Sequence, residues 1–396
     1  MDTEILIIGA GIVGLTVARE ISLRYPDSDV TIIEKEPELA AHASGRNSGV
    51  LHAGFYYTPD SLKARFTVEG NRLLTAYCLE NGLSINRCGK VVVAKNEKEL
   101  TMISELKKRG DANGVSLQVV DEKYLSEIEP NARTCGKAIF SPSTSTINPS
   151  EVVRHIAGNL GTNARLLLGE RFVEKSGERS IRTNKRTISY SYLVNAAGLY
   201  ADKIARHFGL GGRYTLIPFK GLYMAYNDQT LLRRHVYPVP DLRNPFLGVH
   251  FTITVDGKVK IGPTAVPAFW RENYKGLANF KVSEFVEVIA FEAGMFLRNS
   301  SNFRSLAFEE MRKNFGGHML QQASILVKHM DVGKAGGFLK PGIRAQLLDK
   351  QTMSLVMDFV VERGERSTHI LNAVSPAFTC SLSFAKFIVD ELEKDL

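Results

Sequence analysis

The strongest constraint on the fold is a glycine-rich turn that joins an apolar run to an amphipathic segment. Residues 5–8 are four consecutive aliphatic residues, which is typical of a buried parallel strand. Residues 9–14 read GAGIVG, and apolar positions then recur with helical spacing through 15–21. A second apolar run, 30–33, ends on Glu34. This order of strand, turn, helix and strand predicts a Rossmann-like α/β unit.

Each glycine of this motif has its own steric task. Gly9 permits the tight turn, Gly11 lets the backbone approach a pyrophosphate, and Gly14 lets the helix pack closely on the strand. The N-terminus of the helix carries partial positive charge that favours phosphate groups, and Glu34 is placed to accept hydrogen bonds from a ribose 2′-hydroxyl. The unit therefore predicts dinucleotide binding, and the motif by itself does not choose between NAD and FAD.

The segment after the second strand favours FAD. NAD-binding chains usually continue with further short βα units, whereas residues 40–57 read AAHASGRNSGVLHAGFYY. Such a segment suits an extended loop that supplies hydroxyl and amide donors to ribityl and pyrophosphate groups. A second cofactor contact is expected where the apolar run 192–195 ends on Ala-Ala-Gly, because small residues let the backbone press against a ligand.

The sequence resembles the D-amino-acid oxidase (DAO) superfamily of FAD enzymes and, within it, the L-2-hydroxyglutarate dehydrogenase/oxidase group. The matching segments run from one end of the chain to the other, and SGRNSGVLHAGFYY is the most specific of them. They are IIGAGIVGLTVAREI (7–21), SGRNSGVLHAGFYYTPDSLKA (44–64), VNAAGLYADKIA (194–205), VYPVPDLRNPFLGVHFT (236–252), IGPTAVPAF (261–269), GIRAQLLD (342–349) and HILNAVSPAFTCSL (369–382).

The resemblance implies an α/β fold with an α+β second lobe. A discontinuous, Rossmann-like FAD-binding domain with a parallel sheet would comprise residues 1–85, 146–215 and 335–396. A substrate-binding domain with an antiparallel sheet would comprise residues 86–145 and 216–334. A chain of 396 residues exceeds what one hydrophobic core usually serves, which agrees with two lobes.

The resemblance also implies that FAD is bound non-covalently. The residues expected to hold it lie in the glycine motif, at the end of the second strand, in the loop that follows, and in later turns. They are Gly9, Gly11, Gly14, Glu34, Lys35, Ser44, Arg46, Asn47, Ser48, Val173, Ala197, Gly198, Gly342, Ser375, Pro376, Ala377, Phe378 and Thr379.

Oxidation of a hydroxy acid by a flavin needs a pinned carboxylate, a Cα hydrogen facing flavin N5 and a base for the hydroxyl proton. Arg344 matches the superfamily's position for carboxylate binding, and a guanidinium gives a permanently charged bidentate clamp. A structural ion pair is the alternative role for Arg344. His52 is the candidate base, with His250 as its rival, because an imidazole titrates near neutral pH. Candidates for the second carboxylate are Tyr56, Tyr57, Lys220 and Tyr237.

The expected reaction is oxidation of L-2-hydroxyglutarate to 2-oxoglutarate by hydride transfer to flavin N5, with electrons passed to oxygen or a quinone. Lys220, Ile253 and Val374 depart from the family pattern, which leaves the exact hydroxy acid open. The same fold acting on glycine, sarcosine or glycerol 3-phosphate is the alternative. An RNA-acting flavoprotein is disfavoured, because the net charge of +8 is spread along the chain, and no nucleic acid is expected as a partner.

The remaining patterns concern secondary structure and location. Segments 89–94 and 245–262 predict antiparallel strands, and apolar residues at helical spacing predict helices over 279–298 and 304–330. Those helices are amphipathic and basic, so they either pack on their own domain or contact a membrane surface. Four scattered cysteines predict neither a metal site nor disulfides. We expect a cytoplasmic protein, with peripheral contact to the inner face of the cell membrane as the alternative.

Overall fold

The structure is a computed structural model, and it describes residues 1–242, 247–300, 303–313 and 316–394. The chain divides into two compact units, here called the first unit and the second unit. The first unit consists of Met1–Asn47, Pro149–Pro218 and Arg344–Leu396, and the second unit of Ser48–Asn148 and Phe219–Ile343.

The described strands, in chain order, are β1 (Asp2–Ile8), β2 (Val30–Glu34), β3 (Val50–Leu51), β4 (Ile85–Asn86), β5 (Lys90–Val93), β6 (Gln118–Asp121), β7 (Lys137–Ser141), β8 (Ser145–Ile147), β9 (Ala164–Leu168), β10 (Phe172–Gly177), β11 (Ser180–Thr183), β12 (Thr187–Asn195), β13 (Tyr214–Gly221), β14 (Met224–Tyr226), β15 (His235–Pro238), β16 (His250–Ile253), β17 (Val259–Gly262), β18 (Val266–Pro267), β19 (Ala335–Phe338), β20 (Gly342–Asp349), β21 (Ser354–Leu355), β22 (Val360–Gly364) and β23 (Ser367–Asn372). The α-helices are α1 (Ile12–Arg24), α2 (Leu62–Glu80), α3 (Glu97–Ala112), α4 (Glu122–Ile128), α5 (Pro149–Gly158), α6 (Ala201–Arg206), α7 (Val282–Arg298), α8 (Phe303–Lys313), α9 (Gly316–Ser324) and α10 (Ala377–Glu393).

The first unit is built on a sheet with the strand order β10-β11-β12-β1-β2-β9, and β23 pairs with both β12 and β22. Strands β1, β2, β9, β12 and β23 pair in parallel, so that Ile7 lies opposite Val194 on one side and Ile32 on the other. Both faces of the central strands are covered, because Leu6 and Ile7 are fully buried on opposite faces of β1. The predicted parallel α/β sheet is confirmed.

Helices α1 and α10 pack together in the first unit. The inward side of α1 includes Leu15, Ala18 and Ile21, which are fully buried. At the end of α1, the Arg24 guanidinium donates to the Asp390 carboxylate on α10 at 2.6 Å. The packing of the buried apolar side of α1 holds its N-terminal turn beside the glycine motif. The exposed Arg24–Asp390 ion pair contributes little stability.

The second unit is built on a sheet with the order β19-β14-β17-β16-β15-β5-β7-β6. Its pairs are antiparallel except β15 with β5, which run in parallel. Strands β3, β8 and β4 form a separate antiparallel sheet of the same unit. Strands β18, β13, β20 and β21 form a further sheet.

Period-two alternation gives the large sheet of the second unit two different faces. One face carries Val91, Val236, Phe251 and Ile261, which pack with Met319 of α9 in an apolar core. The opposite face of β5, β15, β16 and β17, here called the polar sheet face, carries Lys90, His235, Tyr237, His250, Thr252 and Lys260. The sheet therefore separates a hydrophobic core from a buried polar surface.

The other secondary-structure predictions have mixed outcomes. The expected strands at 89–94 and within 245–262 appear as β5, β16 and β17, and the helix at 279–298 appears as α7. The helix predicted over 304–330 extends too far, because α9 ends at Ser324. Residues 243–246 and 314–315 lie outside the described part of the chain.

The close approach of α1 to β1 predicts the effect of one substitution. A Cβ added at Gly14 would lie 2.0 Å from the carbonyl oxygen of Gly9. We expect Gly14→Ala to lower the free energy of unfolding by about 1–3 kcal/mol in urea denaturation, because backbone atoms must move apart. The matched control is Gly158→Ala at the end of α5, where the added Cβ meets no described atom within 4 Å. Equal stability of the two variants would contradict this packing.

Candidate functional site

The glycine motif of the first unit forms a tight cradle at the carboxyl end of β1. Gly9 has a positive φ of 104°, and a Cβ there would lie 2.6 Å from the carbonyl oxygen of Ala196. At the helix start, the backbone N–H of Ile12 donates to the Ser44 hydroxyl at 2.9 Å. The cradle thus needs glycine for backbone conformation and for space, and it brings Ser44 to the first turn of α1.

Glu34 lies beside this cradle, as the strand–turn–helix pattern predicts. Its carboxylate accepts hydrogen bonds from the backbone N–H of Ala10 at 2.9 Å and of Glu36 at 3.0 Å. The next residue, Lys35, contacts the Glu36 carboxylate, and His42 Nε2 lies 2.8 Å from the same carboxylate. Burial opposes ionisation of Glu36, but hydrogen bonds from Lys35 and His42 outweigh it and lower the pKa of Glu36.

The loop after β2 is held by its own side chains. Arg46 Nε donates to the Ala41 carbonyl at 2.6 Å, and Asn47 Nδ2 donates to the carbonyls of Ala43 and Ser44. Arg46 and Asn47 therefore brace the backbone of the segment that the sequence analysis expects to lie along the cofactor. Ser48 belongs to the second unit, where its hydroxyl accepts from the N–H of Val50 at 3.2 Å.

The end of β12 forms the other wall of the cradle. Asn195 is fully buried; its Oδ1 accepts from the N–H of Ala197 at 3.2 Å, and its Nδ2 lies 3.1 Å from His369 Nδ1. Burial lowers the pKa of His369 to about 4, so its imidazole is neutral and accepts from that amide. Ala197 is followed at once by Gly198, which has a positive φ of 53°.

The remaining predicted cofactor residues lie in several places. Ser375 and Pro376 precede α10, and Ala377, Phe378 and Thr379 form its first turn. Val173 lies on β10, two strands away from β12 in the sheet. Gly342 begins β20 and belongs to the second unit.

His250 is buried on the polar sheet face. Its ring stacks on Tyr237 with centroids 3.6 Å apart, and its Nδ1 lies 2.8 Å from the Gly248 carbonyl. Burial lowers the pKa of His250 to about 3, with smaller contributions from Lys90 and Lys260. Because a carbonyl only accepts, Nδ1 carries the proton of this neutral ring and Nε2 is the acceptor. His250 is thus neutral, with Nε2 as the ring nitrogen that can accept a proton.

His52, the other candidate base, follows β3 in the second unit and is also buried. The Asn71 amide of α2 donates to the backbone carbonyls of Leu51 and His52 at 3.2 Å and 3.1 Å. It also donates to Ser143, which precedes β8. This amide fixes the backbone at His52 and ties α2 to the small sheet.

Lys90 is a buried residue that the sequence analysis did not single out. Its side chain is fully buried on β5, with Nζ 4.7, 4.5 and 4.9 Å from the ring centroids of Phe55, Tyr56 and Tyr237. Three aromatic faces attract a cation, but burial lowers the pKa of Lys90 to about 7. Tyr237 therefore contacts both the Lys90 ammonium and the His250 ring.

Lys260 and His235 complete the polar sheet face. Lys260 Nζ donates to the Ser48 carbonyl at 2.9 Å, and burial lowers its pKa to about 8. His235 Nδ1 accepts from the N–H of Ile253 at 3.0 Å, and burial lowers its pKa to about 3. Lys90 and Lys260 could have been identified from the sequence, because each stands in an otherwise apolar strand segment, KVVV and VKIG respectively.

The predicted substrate residues have different environments. Tyr56 and Tyr237 are buried against Lys90, and burial raises the pKa of both phenols. Lys220 is half-buried, and its ammonium donates to Asn273 Oδ1 at 3.3 Å. The ring centroid of Tyr57 lies 5.9 Å from Lys63 Nζ. Arg344 is half-buried on β20 and belongs to the first unit.

Comparison with known proteins identifies the family. The family model described as FAD dependent oxidoreductase (DAO) matches residues 4–323. The chain belongs to the DAO family of FAD-dependent oxidoreductases. FAD is therefore its cofactor, which confirms the prediction. The cradle fits this group, because a Cβ at Gly9 or Gly14 would collide with the backbone of Ala196 or Gly9, so only glycine keeps the strand, the turn and the start of the helix close enough for the helix N-terminus to meet a pyrophosphate.

Curated relatives match nearly the whole chain. The human protein named "L-2-hydroxyglutarate dehydrogenase, mitochondrial" is 35% identical over 418 residues, covering 99% of this chain and 89% of its own. The Escherichia coli K12 protein named "L-2-hydroxyglutarate dehydrogenase" is 33% identical over 404 residues, covering 98% of this chain and 93% of its own. The predicted resemblance to this group is confirmed.

Solved structures share the fold. An FAD-bound L-α-glycerophosphate oxidase from Mycoplasma pneumoniae has a TM-score of 0.76 and 22% identity, covering 99% of this chain and 95% of its own. Glycine oxidase from Geobacillus kaustophilus has a TM-score of 0.73 and 16% identity, covering 100% and 95%. These similarities support the α/β fold class, but they do not identify the substrate.

Burial of the Lys90 ammonium predicts that the stability gained by removing it depends on pH. Because its pKa is near 7 in the folded protein and 10.5 in the unfolded chain, the unfolded chain binds more protons between these values and stability rises with pH. Lys90→Met should therefore raise the free energy of unfolding by roughly 2–4 kcal/mol at pH 6 and by less at pH 9.5. Urea denaturation at both pH values measures this.

The matched control for Lys90→Met is Lys258→Met, which removes an exposed lysine paired with Asp256 at 2.6 Å. Its stability should differ from the parent by less than about 0.5 kcal/mol. A gain for Lys90→Met of the same size at pH 6 and pH 9.5 would show that a charge buried at Lys90 is not its source.

Proposed function

We propose that the protein oxidises L-2-hydroxyglutarate to 2-oxoglutarate. The observation that carries this proposal is 33–36% identity to proteins named L-2-hydroxyglutarate dehydrogenase over 97–99% of the chain. The polar sheet face supports it, since β5, β15, β16 and β17 bring two lysines and two histidines to that face and no acidic side chain. Buried cations without acidic neighbours on these strands suit a substrate with two carboxylates.

The residues have separate tasks in this proposal. Bound FAD supplies the two-electron oxidant that takes the hydride from the substrate α-carbon. The Arg344 guanidinium pins the adjacent carboxylate through a permanent charge and two parallel hydrogen bonds. His250 takes the hydroxyl proton at Nε2, because its Nδ1–H is donated to Gly248. His52 is the alternative base.

The charge of the polar sheet face also weighs against other substrates of the fold. Glycine and sarcosine carry an ammonium group, which the buried lysines would repel. Glycerol 3-phosphate carries a dianionic phosphate and remains the stronger competitor. The lysines and arginines are spread through the sequence, which continues to disfavour an RNA substrate.

Anaerobic reduction of the bound flavin tests the function. The purified holoenzyme is mixed with L-2-hydroxyglutarate, glycine, sarcosine or glycerol 3-phosphate in separate anaerobic cuvettes, and the loss of the oxidised flavin absorbance is followed. We expect bleaching by L-2-hydroxyglutarate. If that compound leaves the flavin oxidised while another bleaches it, the proposed substrate is wrong.

The electron acceptor is tested with the reduced enzyme from the same experiment. We propose that electrons pass to oxygen or to a quinone. Reoxidation is followed after admission of air and, separately, after anaerobic addition of a short-chain quinone. The faster of the two reactions identifies the acceptor, and failure of both excludes the two acceptors proposed.

Arg344 provides the sharpest substitution within the proposed site. Arg344→Lys keeps a positive charge but loses the planar pair of donors, so we expect KM for L-2-hydroxyglutarate to rise by roughly 10- to 100-fold. Steady-state kinetics at saturating acceptor measure the change. Arg366→Lys, another arginine of the first unit, is the control and should leave KM unchanged. An unaltered KM in Arg344→Lys would remove Arg344 from the substrate site.

We propose that the protein is cytoplasmic and contacts an anionic membrane surface through α7. In the described residues, no helix is long and apolar enough to cross a membrane. The outward side of α7 is apolar, with Val282, Val286 and Leu297 each more than half exposed. Of its three glutamates, Glu284 points inward, where it accepts from the backbone N–H of Arg271, and Glu287 lies 3.8 Å from the Arg271 guanidinium. An apolar outer face suits insertion at a lipid interface.

Co-sedimentation with vesicles tests this contact. The holoenzyme should bind vesicles that contain anionic phospholipid, and Val282→Ser/Val286→Ser should reduce the bound fraction several-fold because two exposed apolar groups are lost. Val119→Ser, which removes an exposed valine from β6, is the control. Equal sedimentation of the double variant and the control would locate any membrane contact elsewhere.

A further inference from the structure

Lys260 is an ammonium group buried on the polar sheet face. It lies on β17, opposite Thr252 of β16, and only 9% of the residue is exposed. His250, on the same face of β16, is two residues from Thr252. Because neighbouring strands lie about 5 Å apart, Lys260 belongs to the immediate surroundings of the candidate base.

The contacts of Lys260 leave its charge without an anion. Its Nζ donates to the Ser48 carbonyl at 2.9 Å and lies 4.9 Å from the centre of the Tyr223 ring. An ammonium has three N–H donors, and a carbonyl uses one of them. Among the described residues, no carboxylate lies within ion-pair distance of Lys260. Burial lowers the pKa of Lys260 and the charge of Asp256 opposes this lowering slightly, but the Asp256 carboxylate contacts Lys258 at 2.6 Å.

Two other lysines of the second unit, Lys90 and Lys220, are less suited to bind a second carboxylate. The Lys90 ammonium is enclosed by Phe55, Tyr56 and Tyr237 and is fully buried. Lys220 donates to the side chain of Asn273 at 3.3 Å. Lys260 combines burial, unused N–H donors and a place on the same sheet face as His250.

We propose that Lys260 binds the substrate carboxylate remote from the carbon that is oxidised, and so selects dicarboxylates over monocarboxylates. This inference rests on the proposed function, in which a hydroxy acid with two carboxylates is oxidised. A carboxylate at Lys260 would supply the missing anion and accept the N–H groups that Ser48 leaves unused. Ser48 would then act as a positioning residue, because its carbonyl orients the ammonium.

The second carboxylate can be tested by binding alone. Glutarate and pentanoate have the same chain length and differ by one carboxylate, and neither carries a hydroxyl group to be oxidised. Each is titrated into the oxidised holoenzyme, and the change in the flavin absorption spectrum gives its Kd. We expect the parent enzyme to bind glutarate more tightly than pentanoate by on the order of 100-fold, the scale of one charge-assisted contact.

Lys260→Met should weaken glutarate binding by roughly that factor and leave the Kd for pentanoate within about twofold. Lys258→Met, two residues along the same hairpin, is the matched control and should preserve both values, since Lys258 is exposed and paired with Asp256. Equal weakening of both ligands, or of neither, would overturn the role of Lys260.

Two further variants keep the test decisive if Lys260→Met does not retain FAD. Lys260→Arg keeps the charge and should retain the preference for glutarate, whereas Lys260→Gln removes the charge and should lose it. Loss of the preference in both, or in neither, would overturn the proposal. If the proposed function is wrong, a different result is expected: the flavin of the unsubstituted enzyme stays oxidised when L-2-hydroxyglutarate is added under anaerobic conditions.

Discussion

The candidate substrate site of the second unit depends on basic side chains that are buried on the polar sheet face. The alternation of β5, β15, β16 and β17 sends Val91, Phe251 and Ile261 to the core and sends Lys90, His250 and Lys260 to the other side. Each polar group is disfavoured in its charged form by burial, which lowers the pKa of Lys90 to about 7 and of His250 to about 3. A fold keeps such groups only where they are compensated, here by aromatic faces, carbonyls and the proposed anionic substrate.

The first unit meets a different constraint, which is the space needed for a large anionic cofactor. Gly9 and Gly14 let β1, α1 and the end of β12 approach more closely than any side chain would allow. The α1–α10 packing then holds the first turn of α1 in place with ordinary apolar contacts. The backbone contacts that position the first turn of α1 therefore also contribute to stability, which explains why one added methyl group at Gly14 should lower the free energy of unfolding.

Helix α7 has the opposite arrangement to a typical surface helix. Its exposed side carries Val282, Val286 and Leu297, while Glu284 lies inward against the Arg271 backbone. The helical period alone predicts an amphipathic helix and cannot say which side faces solvent. In the structure Glu284, Val288 and Met295 face inward, and Val282, Val286 and Leu297 lie at the surface of the second unit.

The sequence by itself determined the glycine cradle and the strand that carries His250 through local spacing, and its resemblance to the DAO superfamily determined the family and FAD as cofactor. It did not determine that Lys90 and Lys260 are buried, since a lysine in a strand can point either way until neighbouring strands fix the register. Nor did it place the end of the helical segment within 304–330 at Ser324. The contacts of the Tyr237 ring with Lys90 and with His250 join residues from three strands, and only tertiary packing could bring them together.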